Sequence, residues 1–384
     1  MSAYILFRDD PRGTSLLFTK PRDIIVARHV DDVKTALVEL EEHRKAGRWL
    51  AGYISYEAGF AFEEKLYPLA PAHRDVPLIC MGVFDAPTGT SDPRTEAPAS
   101  PPPNAPLITD PHAAWDYDSY ASHFERLHQH LREGDCYQAN LTIPIEAHWT
   151  GDAATLFWSL IDRQPVHYGA LAELGGPAIV SRSPELFFAV DEDGWIETHP
   201  MKGTAARGNS PAEDEAIIAT MLADEKTQAE NRMIVDLLRN DISRISEVGS
   251  LSVPKLFDIE TYPTVHQMVS HVRAKLQPGV GLPQIMEALF PCGSITGAPK
   301  LSAMTILHAL ENQPRDVYCG AIGWCDPAGP MRFSVAIRTI TLFKDGRAVF
   351  NVGGGIVFDS KPQAEYEECL LKARFAVGDQ WISR

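Results

Sequence analysis

The sequence carries no excess of positive charge: 35 lysines and arginines stand against 51 aspartates and glutamates, a formal net charge of −16. A surface of that sign repels phosphate backbones, so no nucleic acid is expected as partner. An anionic small molecule would have to find locally placed cations. No apolar run approaches the roughly 18 residues of a membrane span, and no membrane role is expected. The opening MSAYILFRDDPRG has neither a basic start nor a long apolar core, so no secretory signal is read there. The six cysteines, at 80, 136, 292, 319, 325 and 369, form no CxxC pair or metal clip. That usage suits reduced thiols in a cytoplasmic protein rather than a disulfide framework. GxSxG, HExxH, Walker and dinucleotide-binding glycine patterns are all missing. With 45% apolar residues the chain can still bury a full core.

The 384 residues are enough for two or three domains. One segment stands apart. Residues 85–111 are dense in Pro, Ser and Thr and carry almost no large apolar side chain, too little to offset the entropy of ordering them. The expected division is an N-terminal α/β module (1–84) packed on the main body, a proline-rich linker or loop (85–111), and a main domain (112–384). Helical spacing predicts helices at 30–46, across SPAEDEAIIATMLADEKTQAENRMIVDLLRNDISR, in LPQIMEALF and GAPKLSAMTILHALE, and at KPQAEYEECLLKARFAV. SLLF, DIIVA, WLAGYIS, VHQMVSHVRAKL, VYCGAIGWC, RFSVAIRTITLF and AVFNVGGGIVF read as strands. Strands arriving in runs, not in strict alternation with helices, point to an α+β fold with helices outside an antiparallel core.

Several residues could carry chemistry, and each also has a structural reading. Glu365 and Glu368 share a face of the last helix, with Lys372 one turn on, and Glu230 sits among apolar neighbours of an earlier helix. Carboxylates from two helices can hold Mg²⁺; they can equally be a solvated face paired with lysines. FPCGSITGAPK, with Ser294, leads glycine-rich into a helix, and NVGGGIVFDS carries Gly353, Gly354 and Gly355 at a strand end. Both permit close backbone approach to an anion or ligand, and a tight turn or bulge needs glycine just as much. Lys202, in HPMKGT, is either an exposed turn cation or a nucleophile drawn into a pocket. Arg338 interrupts an apolar run, where a guanidinium holds a carboxylate in a forked pair, either an internal one or a ligand's. Glu185 precedes an aromatic pair; in apolar surroundings a carboxyl becomes a general acid. His266 reads first as a packing residue.

These segments, in this order, resemble the chorismate-utilising enzyme family. The resemblance rests on SRSPELF, HPMKGT, AENRMIVDLLRND, FPCGSITGAPK, YCGAIGW, AIRTI, NVGGGIVFDS and AEYEECLLKA, collinear over about residues 115 to 378. AGYISYEAGFAFE, near the N-terminus, is similar to the corresponding part of the family's aminodeoxychorismate synthase branch. The resemblance implies two antiparallel β-sheets packed face to face with helices outside, and a chorismate-binding catalytic domain at 112–384. It implies Glu230 and Glu368 as Mg²⁺ ligands, with Glu365 reaching the ion through water. Ser294, Thr204, Tyr318, Arg338, Gly353, Gly354, Gly355 and Lys372 would line the substrate site.

Two positions would then select the reaction. Family members that add water carry a lysine where this sequence has Gln138, and an amide cannot take a proton from water at neutral pH. Anthranilate synthases have a small residue at the place of Lys202; a lysine there matches the branch that aminates chorismate at C4 through a covalent lysine intermediate, with Glu185 as general acid. The implied products are 4-amino-4-deoxychorismate and, beyond it, p-aminobenzoate for folate synthesis. Anthranilate formation and a non-catalytic chorismate-binding role are the alternatives. No glutamine amidotransferase signature is present, so ammonia would come from a separate glutaminase subunit or from solution. The sequence departs from the family at Thr227, where an acidic residue is common, and at Gln267, where a histidine is usual. It also lacks the LLES-type segment of tryptophan-inhibited relatives.

Overall fold

A computed structural model describes residues 3–71, 74–89, 107–161, 163–262 and 265–378. Most of the proline-rich segment expected as a linker, 90–106, lies outside the described residues. Two antiparallel sheets form the centre. The first has 9 strands, in the order Gly297–Ala298, Gln138–Trp149, Arg347–Val357, Thr339–Leu342, Ala178–Ser183, Tyr168–Glu173, Tyr4–Asp9 and Thr14–Thr19, with Ile108–Ala113 also pairing Gln138–Trp149. The second has 10, running from Met201–Ala206 through Val265–Lys275, Trp195–Thr198, Leu186–Val190, Met331–Val335 and Ala321–Cys325 to Trp49–Ile54, Ile79–Phe84 and Asp23–Ala27, with Ser252–Thr261 beside Val265–Lys275. The N-terminal strands are members of both sheets: Tyr4–Asp9 pairs with Tyr168–Glu173, and Trp49–Ile54 with Ala321–Cys325.

Eight helices among the described residues cover the outer faces: α1 (Asp32–Lys45), α2 (Tyr117–Glu133), α3 (Ala153–Ile161), α4 (Pro211–Ala223), α5 (Glu225–Ser243), α6 (Leu282–Leu289), α7 (Lys300–Glu311) and α8 (Pro362–Val377). Between the sheets Ile5, Phe18, Ala170 and Ile179 meet Ala51, Tyr53, Phe84 and Ile322. Outside the first sheet, Ile143, Ile340 and Phe350 pack on Phe124 of α2, Phe157 of α3, Leu307 of α7 and Phe375 of α8. Outside the second, Leu50, Val83 and Phe333 pack on Leu37 of α1, Leu238 of α5 and Ile285 of α6. The period of two along Arg347–Val357 sends Ala348, Phe350, Val352 and Ile356 to the helices and leaves Asn351, Gly353 and Gly355 facing the other sheet. No helix among the described residues is long and apolar enough to cross a membrane.

Helices α2 and α3 were not read from the sequence, and two elements that were read fold differently. The long helical stretch after Ser210 is two helices, because Asp224 takes an extended conformation and caps α5 by accepting from the Lys226 amide. RFSVAIRTITLF is not one strand. Met331–Val335 belongs to the second sheet and Thr339–Leu342 to the first, and the chain crosses between them at Arg338, whose φ is +51°. Apolar residues fill the run on both sides of the crossing, so periodicity did not reveal the break.

Candidate active site

The edge strand Met201–Ala206 carries a bulge: its register against Val265–Lys275 shifts between Met201 and Thr204, and Gly203 has φ +83°. A Cβ on Gly203 would stand 2.5 Å from Cγ2 of Thr227 on α5, so the missing side chain lets strand and helix close together. That approach turns Lys202 inward. Its Nζ lies 3.5 Å from Oε2 of Glu230, one turn along α5 from Thr227, and its side chain is only 18% exposed. Glu230 also faces Lys226, at 3.9 Å.

The glycine triplet meets the cluster from the other sheet, each member with its own neighbour. A Cβ on Gly355 would come within 2.8 Å of both Lys202 Nζ and Gln138 Nε2. One on Gly354 would be 3.1 Å from Glu365 Oε2, and one on Gly353 would be 2.5 Å from the Leu141 carbonyl of the paired strand. Lys372 of α8 donates to the Gly353 carbonyl at 2.7 Å and pairs with Glu368 at 2.7 Å. Ser360 donates to Glu365 at 2.7 Å. Burial and the neighbouring Glu368 push the Glu365 carboxyl upward. Burial acts the same way on Glu368, but Lys372, Lys202 and Lys226 outweigh it and hold that carboxyl low. Oxygen donors from α5 and α8, one of them kept ionised, suit a hard dication such as Mg²⁺. The three carboxylates form an open set, since their oxygens do not all fall within 4.8 Å of one another.

Behind Lys202 lies a buried acid. Glu185 sits between the strands Ala178–Ser183 and Leu186–Val190, 5% exposed. Ser294 donates to its Oε1 at 2.6 Å. Burial pushes its carboxyl up to about 7, against the opposing pull of Ser294, Lys202 and Arg338. Arg338 is buried enough for its guanidinium to be lowered to about 10, with Glu185 acting the other way. Among the described residues no carboxylate pairs with that guanidinium and no acceptor takes its hydrogen bonds. A forked, desolvated cation left open is a carboxylate receptor. Gln138, 0% exposed and beside Lys202, likewise finds no hydrogen-bond partner for either amide atom among the described residues.

Other residues singled out in the sequence stand apart. Thr204 is exposed and donates to Gln267 at 2.6 Å. Lys300, the lysine of FPCGSITGAPK, is held by Asp241 at 2.6 Å. His266 is fully buried, with Nε2 at 2.8 Å from Asp214 and Nδ1 at 2.9 Å from Thr261, so both ring nitrogens are occupied by structural partners. Tyr318 is buried and lines a cavity of about 240 Å³ together with Thr339, Asn351, Arg347 and Asp75; Lys202, Glu230 and Arg338 do not line it. In the sequence Gln138 counts only as an amide that cannot be the base water attack needs; its burial, with no partner among the described residues, is a tertiary property that composition does not show.

The sequence profile of a family described as chorismate binding enzyme matches residues 2–378. The chain is 41% identical over 255 residues to an aminodeoxychorismate synthase component 1 of Escherichia coli, covering 66% of this chain and 56% of that protein. It is 39% identical over 254 residues to an anthranilate synthase component 1 of Methanothermobacter thermautotrophicus, covering 66% and 54%. The chain spans about half the length of the curated relatives it matches. Among solved structures it is similar to an anthranilate synthase component I of Streptococcus pneumoniae, with a TM-score of 0.76 and 27% identity over 97% of this chain and 89% of that one.

Proposed function

The chain belongs to the chorismate binding enzyme family, and from that premise we propose that it is a cytoplasmic enzyme that aminates chorismate at C4 to give 4-amino-4-deoxychorismate, the precursor of p-aminobenzoate. The observation that carries this reading is the inward Lys202, 3.5 Å from Glu230 and against the open face of Gly355. Relatives named as component 1 of a synthase support a second component, and in this proposal it is a glutaminase subunit that hands over ammonia.

Chorismate carries two carboxylates, and the site has a separate receptor for each. Arg338 receives one in a forked pair. Glu230 and Glu368, with Glu365 beside them, would hold Mg²⁺, which supplies the positive charge that neutralises the other. Fixing both carboxylates places the ring over the glycine triplet, between Lys202 and Glu185. The Lys202 amine then bonds to C2, both ring double bonds shift toward C4, and the C4–O bond breaks; Glu185, its carboxyl raised to about 7 by burial, gives its proton to the departing hydroxyl, which leaves as water. Ammonia next bonds to C4, both double bonds shift back, the C2–N bond to Lys202 breaks with its electron pair returning to the amine, and the proton shed by the added ammonia returns to Glu185. Gln138 offers amide groups and no base at this point, which disfavours attack by water.

The test is direct. Purified protein with chorismate, an ammonium salt and Mg²⁺ should form a product that aromatises to p-aminobenzoate only when a lyase is added. Lys202→Ala should abolish that product. Fluorescent o-aminobenzoate forming without lyase would replace this reading by C2 amination, and a Lys202→Ala rate near wild type would remove the covalent step.

A further inference from the structure

The largest of the fully buried side chains is a cation, Arg182, at 0% exposure in the strand Ala178–Ser183. It stands three residues before Glu185, and nothing in the chemistry above uses it. Its Nη2 donates to Oδ2 of Asp10, just beyond the chain's first strand, and to the Gln164 carbonyl at 2.9 Å. Phe157 lies under the guanidinium at 5.3 Å. Gly169, paired with Arg182 across the ladder, leaves room for it: a Cβ there would be 2.7 Å from Nη1. Nε and Nη1 find no partner among the described residues, so Asp10 and the Gln164 carbonyl alone locate the group. Asp10 is itself fastened, accepting from the Val166 amide at 2.8 Å.

The backbone of the same residue reaches the site. The Arg182 amide donates to the carbonyl of Arg338 at 2.9 Å, at the point where that residue holds its positive φ. Ser181 and Thr339 share a hydroxyl bond of 2.8 Å on one side. On the other, Ser183 donates to the Val335 carbonyl at 2.6 Å and accepts from the Glu185 amide at 3.2 Å. One three-residue stretch therefore holds the carboxylate receptor and the buried acid, and beyond the sheet ladder the Arg182 side chain fastens that stretch to Asp10, just after the first strand.

We propose that Arg182 is a positioning residue for catalysis, which through its pair with Asp10 sets where Arg338 and Glu185 stand. The proposal rests on the reading of those two residues as substrate receptor and general acid. A long cation is suited to this role because its anchor lies several ångströms from the backbone it steadies, and burial makes the anchor insensitive to salt.

The experiment compares wild type with Arg182→Lys, with Asp10→Asn, and with a double Asp10→Asn, Arg182→Met variant that removes both charges of the pair; Arg8, 3.7 Å from Asp10, keeps Ser15 and the Gly13 carbonyl as acceptors. Each is assayed with chorismate, ammonium and Mg²⁺ from pH 5.5 to 9, alongside its melting temperature and its chorismate Kd by calorimetry. Displacement of Arg338 predicts a chorismate KM and Kd raised about fivefold or more in variants that remain folded at the assay temperature. Displacement of Glu185 toward water predicts an alkaline limb of kcat moved about half a pH unit or more below its wild-type position, because the acid then loses its proton sooner. Arg182→Lys, which keeps a charge near Asp10, should show the smallest change. Variants that melt earlier but keep the wild-type KM, Kd and pH limb would show a purely structural pair and overturn the proposal. A wild-type chain that converts no chorismate would overturn the reading of the site instead, and Kd would still report on the Arg338 arm.

Discussion

Adding one methyl group at Gly355 probes the placement of Lys202, together with that of Gln138, without touching either residue. The new Cβ would stand 2.8 Å from Lys202 Nζ and 2.8 Å from Gln138 Nε2, whereas ordinary contact begins at 3.4 Å. Each group must therefore retreat by at least 3.4 − 2.8 = 0.6 Å. Both are tips of flexible side chains, so the sheet need not move. Alanine also restricts the unfolded chain, and Gly355→Ala should leave the unfolding free energy in urea within about 1 kcal/mol of wild type. Catalysis has no such tolerance: misplacing a reacting group by about 1 Å costs on the order of 100-fold in rate, or about 2.7 kcal/mol of barrier. The assay is kcat for C4 amination at saturating ammonium, with lyase coupling, beside equilibrium unfolding of the same preparation. Gly353→Ala is the contrast, because its Cβ would meet the Leu141 carbonyl at 2.5 Å, a backbone atom that cannot yield; it should lose stability as well as rate. A folded Gly355→Ala enzyme working within threefold of wild type would refute the assignment of Lys202 to the reacting face.

Three further outcomes are expected. Glu368→Gln should raise the Mg²⁺ concentration needed for half-maximal rate by about tenfold or more, since an amide is a poorer ligand for a hard dication; an unchanged metal titration removes Glu368 from the binding set. Glu185, with its carboxyl raised to about 7 from 4.5 by burial, contributes stability that is full below about pH 4.5 and is lost as pH rises through 7, because the native state binds the proton more tightly than the unfolded one. Glu185→Gln should accordingly raise the melting temperature at pH 8 and not at pH 4.5, while abolishing turnover; equal effects at both pH values contradict the buried acid. Arg315 is buried and donates to Glu311, the Ile295 carbonyl and the Asn140 carbonyl; Arg315→Met strands the Glu311 carboxylate and should cost about 3–5 kcal/mol in urea unfolding.

The reach of sequence reasoning differs between elements. Helices α1, α6, α7 and α8 were legible because their apolar spacing, first-turn acids or prolines and, for α7, the N-cap Pro299 are local signals. The crossing at Arg338 was not, because a change of sheet leaves no mark in a run that is apolar on both sides. Among the site residues, Glu230, Glu365, Glu368 and Lys372 could be placed on helix faces by counting. Lys202 could not: whether it faced water or pocket depended on the bulge at Gly203 and on how closely the strand approaches α5. The glycine triplet was visible as a cluster, yet its three different neighbours come from a paired strand, α8 and the opposite sheet.

By itself the sequence determined what is local or compositional: the acidic balance, the α+β character, the order of its motifs and hence the family, and which residue types were available to bind anions and cations. Tertiary structure alone decided which of them meet. It turned Lys202 toward Glu230, left Arg338 without a salt bridge among the described residues, closed Glu185 away from water and linked Asp10 to the site through Arg182. Those facts are distances between residues far apart in the chain, set by sheet register and by the packing of strand on helix, and no short-range pattern encodes them.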